Sequence, residues 1–499
     1  MGDTLAALGL DVLPASVVSA GDAEFGLCRR GRDRQVVVRA SATEEWLDEF
    51  EGERAPAGDR MLVVGPASAR NARALRCRLP WLVSRPIGLR TSAGLGDRLG
   101  VATPGHVRAV RAVAGAVAPV FAQQSWREMT RTRRTPQQVM DDALWGVFAE
   151  GWRDGFGSDA DHLKTTAEVD RCVEARFTGF TVDPGEHVDG SADAASGSDV
   201  ADAVSRLPWD ELADSPGDLF RRLADRSLDL GGLRVRVDTG TVARAAMKYG
   251  RAIAHVVRMY RHLLGVVGAG RFDLEVSVDE TPTPTSHVEH YYVATELQRL
   301  GVTWVGLAPR FLGRFEKGVD YIGDLSAFEG DLEGHAAVAR RLGPYKLSLH
   351  SGSDKFSIYP IVARHTGGLV HLKTAGTSYL EALRTVAALE PDIFRAIYAL
   401  ARDRYARDRA TYHVSATLDR APAPGAVGAS DLPALLDQFD AREILHVTFG
   451  SVLTEPGEGG ARPLADQLMA VLECHEDVYA CALEAHFVRH LEPFVAARG

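Results

Sequence analysis

The sequence predicts an α/β protein built on a closed (β/α)8 barrel of the TIM type. Eight short runs rich in β-branched or aromatic residues end in polar clusters, and helical patterns lie between them. The runs occupy residues 117–128, 157–165, 178–184, 272–285, 302–311, 345–356, 368–384 and 443–453. Strands that alternate with helices form parallel βαβ units, and eight such units fit a closed barrel.

An open, doubly wound sheet is the alternative architecture. A dinucleotide-binding sheet of that kind carries a GxGxxG motif directly after its first strand. No such motif follows the first predicted strand, and the glycine-rich stretch GLGDRLG at residues 94–100 has the wrong spacing. The barrel is therefore the preferred prediction.

Two segments do not follow the repeat of strands and helices. Residues 1–110 contain the strand-like runs RQVVVRAS and RMLVVGPAS, which predict an N-terminal cap region. Residues 185–268 contain the polar run DGSADAASGSD followed by helical patterns, so we expect a helical insertion between the third and fourth predicted strands. The catalytic barrel domain is predicted to extend over residues 111–499.

Composition excludes several classes of partner. The 499-residue chain carries a net charge of −10, which disfavours binding to the phosphate backbone of a nucleic acid. No apolar run approaches the roughly 18 to 20 residues that a membrane helix needs. The five cysteines are scattered and form no CxxC motif, which predicts a reducing, cytoplasmic location without disulfides or a thiolate zinc site. A small-molecule substrate is the expected partner, and a homo-oligomer remains open.

Polar side chains are concentrated where the predicted strands end. Barrel enzymes place their reactive groups at these carboxyl ends, because the loops between strands and helices meet there. The candidates are Gln123, Gln124, Asp159, Asp161, His162, Lys164, Asp183, Asp279, Glu280, Arg310, His350, Ser351, Asp354, Lys355, His371, Lys373, Thr374 and His446. Imidazoles and carboxylates that converge on one face predict a site for a divalent cation.

Each of these candidates also has a purely structural interpretation. His162, His350 and His371 are interpreted as metal ligands, although a histidine at a strand end can also be a hydrogen-bonded core residue. Glu280 precedes the proline-rich loop TPTPT, which would hold its carboxylate for acid–base chemistry or for ligation. Asp161 is either a helix cap or an acid–base group beside His162.

Lysine occurs only six times in the chain, which suggests that the few lysines mark places where a compact cation is needed; a codon bias with random exceptions is the alternative explanation. We interpret Lys355, Lys373 and Arg310 as groups that bind an anionic substrate, with ion pairing to neighbouring carboxylates as the alternative. The polar loop at residues 315–324 is predicted to reach over the mouth of the barrel.

Two histidines outside the strand ends, His287 and His290, form an HxxH pattern on a predicted helix. The pattern lacks the carboxylate of a metalloprotease motif, so it is a weak indication of metal binding. We interpret the pair as polar residues on the surface of the helix.

Several long strings resemble the tagaturonate/fructuronate epimerases. They are AQQSWREMTRTRRTP, DADHLKT, DETPTPTSHVEHYYVATELQRLG, LAPRFLGRFEKGVDYIGD, YKLSLHSGSDKFSIYP and HLKTAGTSYLEALR. The resemblance extends over residues 94–416, whereas the first 90 residues and residues 185–268 carry little of it. It implies a metal-dependent barrel enzyme that interconverts D-tagaturonate and D-fructuronate by inverting C3.

The resemblance also implies roles for individual residues. His162, His350 and His371 would bind the divalent cation, which could be Zn, Mn, Co, Ni or Fe, and Asp161 and Glu280 would be the acid and the base. The residues expected to bind the substrate share a position near the mouth and a hydrogen-bonding group. They are Gln123 and Gln124 for hydroxyls, and Lys164, Arg310, Lys355 and Lys373 for the carboxylate.

Two mechanisms and several activities fit these residues. Inversion could follow a retro-aldol and aldol route, or removal and return of a proton at carbon. Related family members are linked to the C4 epimerisation of the uncharged ketohexoses fructose and tagatose, which makes a ketohexose 4-epimerase the nearest alternative. A metal-dependent aldolase or isomerase of sugar acids would use the same groups, and a non-catalytic sugar-acid sensor is the alternative from another class.

Overall fold

The computed structural model describes residues 10–229, 234–457 and 462–495. The described chain begins with an antiparallel sheet in the spatial order β1-β2-β3-β5-β4. Its strands are β1 (Asp11–Ala20), β2 (Ala23–Arg30), β3 (Asp33–Ser41), β4 (Glu53–Ala57) and β5 (Arg60–Pro66). This sheet is the N-terminal cap that the sequence predicts.

A closed barrel of eight parallel strands follows, which confirms the predicted fold class. Its first half consists of β6 (Ser92–Gly94), β7 (Ala118–Ser125), β8 (Gly157–Leu163) and β9 (Gly179–Val182). The insertion contributes the antiparallel pair β10 (Arg226–Asp229) and β11 (Arg234–Val237). The second half consists of β12 (Asp273–Val278), β13 (Gly306–Pro309), β14 (Lys346–Leu349) and β15 (Val370–Lys373).

Seven of the eight predicted runs contain barrel strands, and the prediction for residues 443–453 is wrong. That run lies in two consecutive helices, Phe439–Val447 and Phe449–Thr454. Most of their residues are buried, including the polar Asp440, Glu443 and His446, and a short run that is buried on all sides cannot be told from a buried strand by its periodicity. The Gln438 side chain caps the first helix by accepting a hydrogen bond from the backbone N–H of Ala441.

The strand missing from the prediction is β6, which pairs with β15 on one side and with β7 on the other. It is only three residues long and lies within the segment predicted as the cap. The insertion after β9 therefore separates the fourth and fifth strands of the barrel.

Helices connect the barrel strands and extend the chain beyond them. The α-helices are Ala69–Arg78, Thr103–Ala112, Trp126–Thr132, Pro136–Ala149, Thr166–Glu174, Gly197–Ser205, Pro216–Leu223, Thr239–Val266, His287–Arg299, Leu325–Leu342, Tyr359–Thr366, Thr377–Leu389, Pro391–Asp408, Phe439–Val447, Phe449–Thr454, Leu464–Cys474 and Glu476–Val495. Short 3₁₀ helices are Glu45–Glu49, Pro80–Leu82, Gly185–His187, Gly190–Asp193, Arg409–Thr411, Pro424–Ala426 and Ala429–Leu436. In the described ranges, no helix combines the length and the apolar character needed to cross a bilayer.

Capping boxes begin several of the helices that follow barrel strands. Ser125, at the end of β7, caps the next helix reciprocally with Glu128. Thr165, shortly after β8, does the same with Glu168. Such caps satisfy the first free N–H groups of a helix, so they fix where each strand ends and where its helix begins. The side chains at the strand ends are thereby held at the mouth of the barrel.

Candidate active site

A buried lysine lies at the centre of the charged groups at the carboxyl end of the barrel. The ammonium of Lys373, at the end of β15, lies 2.9 Å from Asp159 Oδ2, 2.7 Å from Asp161 Oδ1 and 2.9 Å from Glu275 Oε1. It also donates a hydrogen bond to Thr181 Oγ1 at 2.8 Å. Burial opposes its charge, but the three carboxylates hold the pKa of Lys373 well above its ordinary value. Lys373 borders a cavity at the mouth of the barrel, but the three carboxylates already neutralise its charge.

His162 is the penultimate residue of β8, and its ring lies beside a carboxylate from the same strand. Its backbone has φ of 54°, in the left-handed region, so the regular alternation of side chains stops here. The Nδ1 atom lies 2.8 Å from Asp161 Oδ1. Burial disfavours the charged imidazole, but Asp161 outweighs it and raises the pKa of His162.

His350 follows β14 and contacts two carboxylates from the neighbouring part of the barrel. Its Nε2 lies 2.5 Å from Glu275 Oε1, and its Nδ1 lies 3.2 Å from Asp279 Oδ1. Burial favours the neutral ring, but these carboxylates raise the pKa of His350 to about 10. The centroids of the His162 and His350 rings are 4.9 Å apart, so the structure brings these two predicted ligands together.

His371, the third predicted ligand, lies deeper in the barrel. It precedes Lys373 by two residues on β15, and its Nδ1 lies 2.9 Å from Ser92 Oγ. The same hydroxyl accepts a hydrogen bond from Lys346 Nζ at 2.9 Å. Burial lowers the pKa of His371 to about 3, so the ring is neutral. The hydrogen bond between His371 and Ser92 joins β15 to β6 rather than to the histidine pair at the mouth.

The histidine pair and nearby carboxylates form two overlapping sets of possible metal ligands. Asp161, His162 and His350 each offer one ligand atom within 4.8 Å of the other two, and the same holds for His162, Asp183 and Glu280. Imidazole nitrogens and carboxylate oxygens are donors that suit divalent first-row metals. The residues present therefore fit a divalent cation.

Glu280 lies at the more open side of the His162 ring. Its Oε1 is 3.7 Å from His162 Nε2, whereas Asp161 lies at Nδ1 on the other edge of the ring. Arg127 also contacts Glu280, with Nη2 3.2 Å from Oε1. Burial raises the pKa of Glu280, but His162 and Arg127 together lower it below its ordinary value. The two predicted acid–base residues thus lie on opposite edges of one imidazole.

The adjacent glutamines of β7 point in different directions because side chains alternate along a strand. Gln123 faces the barrel interior, where its Nε2 donates to Asp161 Oδ2 at 3.2 Å. Its buried Oε1 has no hydrogen-bond partner among the described residues, so it is free to accept one from a ligand. Gln124 donates to Glu128 Oε2 at 2.9 Å and does not line the cavity.

Three other predicted cations have different surroundings. Lys164 is partly exposed and pairs with Glu186 at 2.9 Å. Arg310 lines the outer part of the cavity and donates to the backbone carbonyl of Thr281. Lys355 is fully buried beneath the loop that follows β13, where its ammonium donates to three backbone carbonyls. These carbonyls belong to Glu316 at 2.7 Å, Ser353 at 3.1 Å and Val319.

Lys317 and Arg127, which line both the inner and the outer cavity, were not among the predicted site residues. The Lys317 ammonium lies 2.9 Å from Ser351 Oγ, a neutral partner. Burial, followed by Arg127, lowers the pKa of Lys317. The rarity of lysine was a signal that could have identified Lys317, because it lies in the polar loop predicted to cover the mouth. Arg127 stands among many arginines and carries no such signal.

The site opens into an outer cavity of about 400 Å³ and an inner one of about 40 Å³. Both are lined by Arg127, His162, Lys317, His350 and Ser351. Gln123 and Lys373 line only the inner cavity. A (β/α)8 barrel with converging ionisable groups at the carboxyl ends of its strands has the architecture of a barrel enzyme.

Comparisons with known proteins define the enzyme further. The family model UxaE, described as tagaturonate epimerase, matches residues 13–494. The tagaturonate/fructuronate epimerase of Thermotoga maritima is 40% identical over 490 residues, which cover 97% of each chain. The crystal structure of fructuronate-tagaturonate epimerase UxaE from Cohnella laeviribosi, native or with one glycerol, aligns with a TM-score of 0.91 at 35% identity. This alignment covers 99% of the present chain and 98% of that one. The chain belongs to the tagaturonate epimerase family and is an isomerase of the epimerase class.

Lys355→Met tests whether this lysine holds the loop or the substrate. The variant leaves three buried carbonyls without their donor, at about 1–3 kcal/mol each when unsatisfied. We therefore expect the free energy of unfolding to fall by about 3 kcal/mol, measured by thermal or urea unfolding. Lys164→Met removes a partly exposed ion pair and should change stability by less than about 1 kcal/mol. Unchanged stability with a raised KM in Lys355→Met would instead indicate a substrate-binding lysine.

Lys373→Met leaves Asp159, Asp161 and Glu275 together without their cation. We expect a loss of about 3–5 kcal/mol in the free energy of unfolding at neutral pH. In the folded variant, mutual repulsion raises the carboxyl pKa values above those of the unfolded chain. The folded state then binds more protons, so stability falls as pH rises through the acidic range. Thermal unfolding at about pH 5 and pH 8 should show the larger deficit at pH 8, and adding Asp159→Asn should recover part of it. A deficit that does not depend on pH would contradict this electrostatic explanation.

Proposed function

We propose that this chain interconverts D-tagaturonate and D-fructuronate by inverting C3. The observation that carries the proposal is the pairing of His162 and His350 at the mouth of the barrel, with Asp161 and Glu280 on opposite edges of the His162 ring. Membership of the tagaturonate epimerase family supports the same substrates, because the matched relatives are named for this interconversion.

Cations on the cavity wall favour a uronate over an uncharged ketohexose. The Lys317 ammonium donates a hydrogen bond to a neutral hydroxyl, so a substrate carboxylate would give it a directly bound anionic partner. Arg127 lies beside Lys317 along the wall and contacts Glu280. Arg310 extends the positive surface into the outer cavity. The Lys355 ammonium already donates to three backbone carbonyls, so we do not assign it to the substrate.

The position of the ketone determines which bond must break. In both uronates the ketone is at C5 and the inverted carbon is C3, which is β to it, so the C3 hydrogen is not acidified by the carbonyl. A retro-aldol step removes this difficulty. A base takes the proton of the C3 hydroxyl, C3 becomes an aldehyde carbon, and the electrons of the C3–C4 bond form an enolate with its charge on the C5 oxygen. Rotation of the aldehyde fragment and re-addition on the other face give the epimer.

Two carboxylates can exchange the hydroxyl proton in the two directions of the reaction. Glu280 is the more accessible of them, since its side chain is 37% exposed and borders the outer cavity. Asp161 is buried, and both of its oxygens already accept hydrogen bonds from Lys373, His162 and Gln123. We propose that Glu280 accepts the proton from one face and that Asp161 serves the opposite face. Gln123 holds a substrate hydroxyl through its unpartnered carbonyl oxygen.

A divalent cation would be held by His162 and His350, whose ring centroids lie 4.9 Å apart, while Asp161 keeps its acid–base role beside His162. When bound, it would supply positive charge that stabilises a negative oxygen and would be worth several kcal/mol. His371 would remain with Ser92 at the deeper level. The carboxylates beside His350 favour its protonated form, so a cation and a proton compete for this ring.

A product assay tests the reaction and the metal requirement together. Chelator-treated and metal-reloaded protein are incubated with tagaturonate, and we expect fructuronate only after reloading. His350→Ala should lose bound metal and about 10³-fold or more in kcat/KM, because several kcal/mol of charge stabilisation disappear. His365→Ala is the matched control, since His365 pairs with Glu329 on a helix outside the barrel mouth.

Other outcomes would replace the proposal. A metal-replete and fully active His350→Ala variant would exclude the histidine pair as the metal site. Conversion of fructose to tagatose without turnover of tagaturonate would indicate a ketohexose 4-epimerase. Accumulation of two three-carbon fragments would indicate an aldolase, and binding without any turnover would indicate a sensor.

Isotope exchange separates the two mechanisms. In the retro-aldol route the C3–H bond never breaks, so the epimer formed in D₂O should carry protium at C3. Removal and return of a proton at C3 would introduce deuterium from the solvent. Mass spectrometry and proton NMR of the product measure this directly, and deuterium at C3 in the first turnovers would rule out the retro-aldol route.

A further inference from the structure

A second cluster of possible metal ligands lies outside the barrel, between the helices His287–Arg299 and Leu325–Leu342. Asp331 and His335 are four residues apart and share one face of the second helix. His287 begins the first helix and faces them. Asp331 Oδ1 lies 3.6 Å from His287 Nε2 and 3.7 Å from His335 Nε2. One ligand atom from each residue lies within 4.8 Å of the other two.

The geometry is close to that of a small tetrahedral site. Ligands at about 2.0–2.1 Å from a zinc ion are separated from one another by about 3.3 Å. The distances from Asp331 Oδ1 to the Nε2 atoms of His287 and His335 exceed that separation by only a few tenths of an ångström. Gly334 permits the close approach, because a Cβ at this position would lie 2.2 Å from the His287 ring.

His335 provides an independent indication of a ligand. Its side chain is completely buried, and its Nε2 has no hydrogen-bond partner among the described residues. This nitrogen points toward the Asp331 carboxylate at a distance too long for a hydrogen bond.

The other nitrogen of His335 joins a chain of hydrogen bonds. Its Nδ1 lies 3.0 Å from His290 Nδ1, and His290 Nε2 lies 2.8 Å from the Tyr345 hydroxyl. If Nε2 of His335 binds a cation, its Nδ1 carries the proton and donates to His290, which in turn donates to Tyr345. Outer hydrogen bonds of this kind fix the tautomer of a metal-binding histidine. The prediction that His290 lies on the surface of its helix is wrong, because His290 is buried.

We propose that His287, Asp331 and His335 bind a divalent cation of the zinc class at a site separate from the barrel mouth. Nε2 of both histidines and Oδ1 of Asp331 are the ligands. His287 Nε2 lies 2.9 Å from the backbone carbonyl of Asp331, which indicates that this nitrogen carries a proton and donates it to the carbonyl. The cation takes the place of that proton when it binds.

The site is placed to hold the segment that follows β13. The other oxygen of Asp331, Oδ2, accepts a hydrogen bond from the backbone N–H of Leu312 at 2.9 Å. The Phe311 ring packs edge-on against His335, with centroids 5.4 Å apart. The chain continues from here to Lys317 at the barrel mouth. The role of the cation is to fix the start of this loop against the two helices.

Zinc stoichiometry tests the proposal on the full chain. Chelator-stripped protein is dialysed against Zn²⁺, and the bound metal is measured by mass spectrometry for the wild type, His287→Gln, His350→Ala and His262→Gln. His262, which pairs with Asp170 on another helix, is the matched control. We expect His287→Gln to bind one zinc ion fewer per chain than the wild type and His262→Gln to bind the same number.

The two proposed sites can fail independently. Loss of one ion in His287→Gln but none in His350→Ala would support this site and contradict the one at the barrel mouth. Equal stoichiometry in the wild type and His287→Gln would overturn the present proposal.

A folding defect would also lower zinc binding in His287→Gln. His290→Phe is a second test, because it keeps all three ligands and removes only the outer hydrogen bond to His335. It should weaken zinc binding at this site by about 10–100-fold. Unchanged affinity of a folded His290→Phe variant would contradict the proposed relay.

Discussion

The buried ammonium of Lys373 is the interaction on which the site depends. A charge removed from water at this depth is tolerated only when close opposite charges and hydrogen bonds compensate for its lost hydration. Asp159, Asp161, Glu275 and Thr181 supply that compensation from three different strands. The side chain therefore ties β8, β9 and β12 to β15 across the interior of the barrel.

The same contacts determine where the two histidines lie. Asp161 Oδ1 is shared between Lys373 and His162, and Glu275 Oε1 is shared between Lys373 and His350. Each imidazole is thus oriented by a carboxylate that the lysine has already fixed. Side chains fixed in this way need little reorganisation when a substrate arrives, which is the main advantage of a site built on strands. By contrast, the groups around the substrate space, such as Glu280 and Lys317, come from the connecting loops.

The sequence predicted most of the barrel because its strands end in polar clusters, and that signal depends on local chemistry alone. It could not reveal β6, since three small residues carry neither a periodic pattern nor a polar terminus. Glu275 was also missed, because it lies inside a strand and only the closed barrel shows that it faces the charged interior. Lys355 and Lys317 show the remaining difficulty. Both lie in polar segments near the mouth, but the path of the loop after β13 decides which ammonium reaches the cavity and which one is buried beneath it.

The three-residue strand β6 has a consequence for how the chain is made. Its partner β15 follows much later, because the paired residues Ser92 and His371 are 279 residues apart in the chain. At a synthesis rate of about 5–20 residues per second, Ser92 leaves the ribosome roughly 15 to 55 s before His371 does. Until then the growing barrel has two open edges, with β6 exposed on one of them. The ring can therefore close only after β15 has been synthesised, and until then the unpaired edge of β6 is open to pairing with other chains.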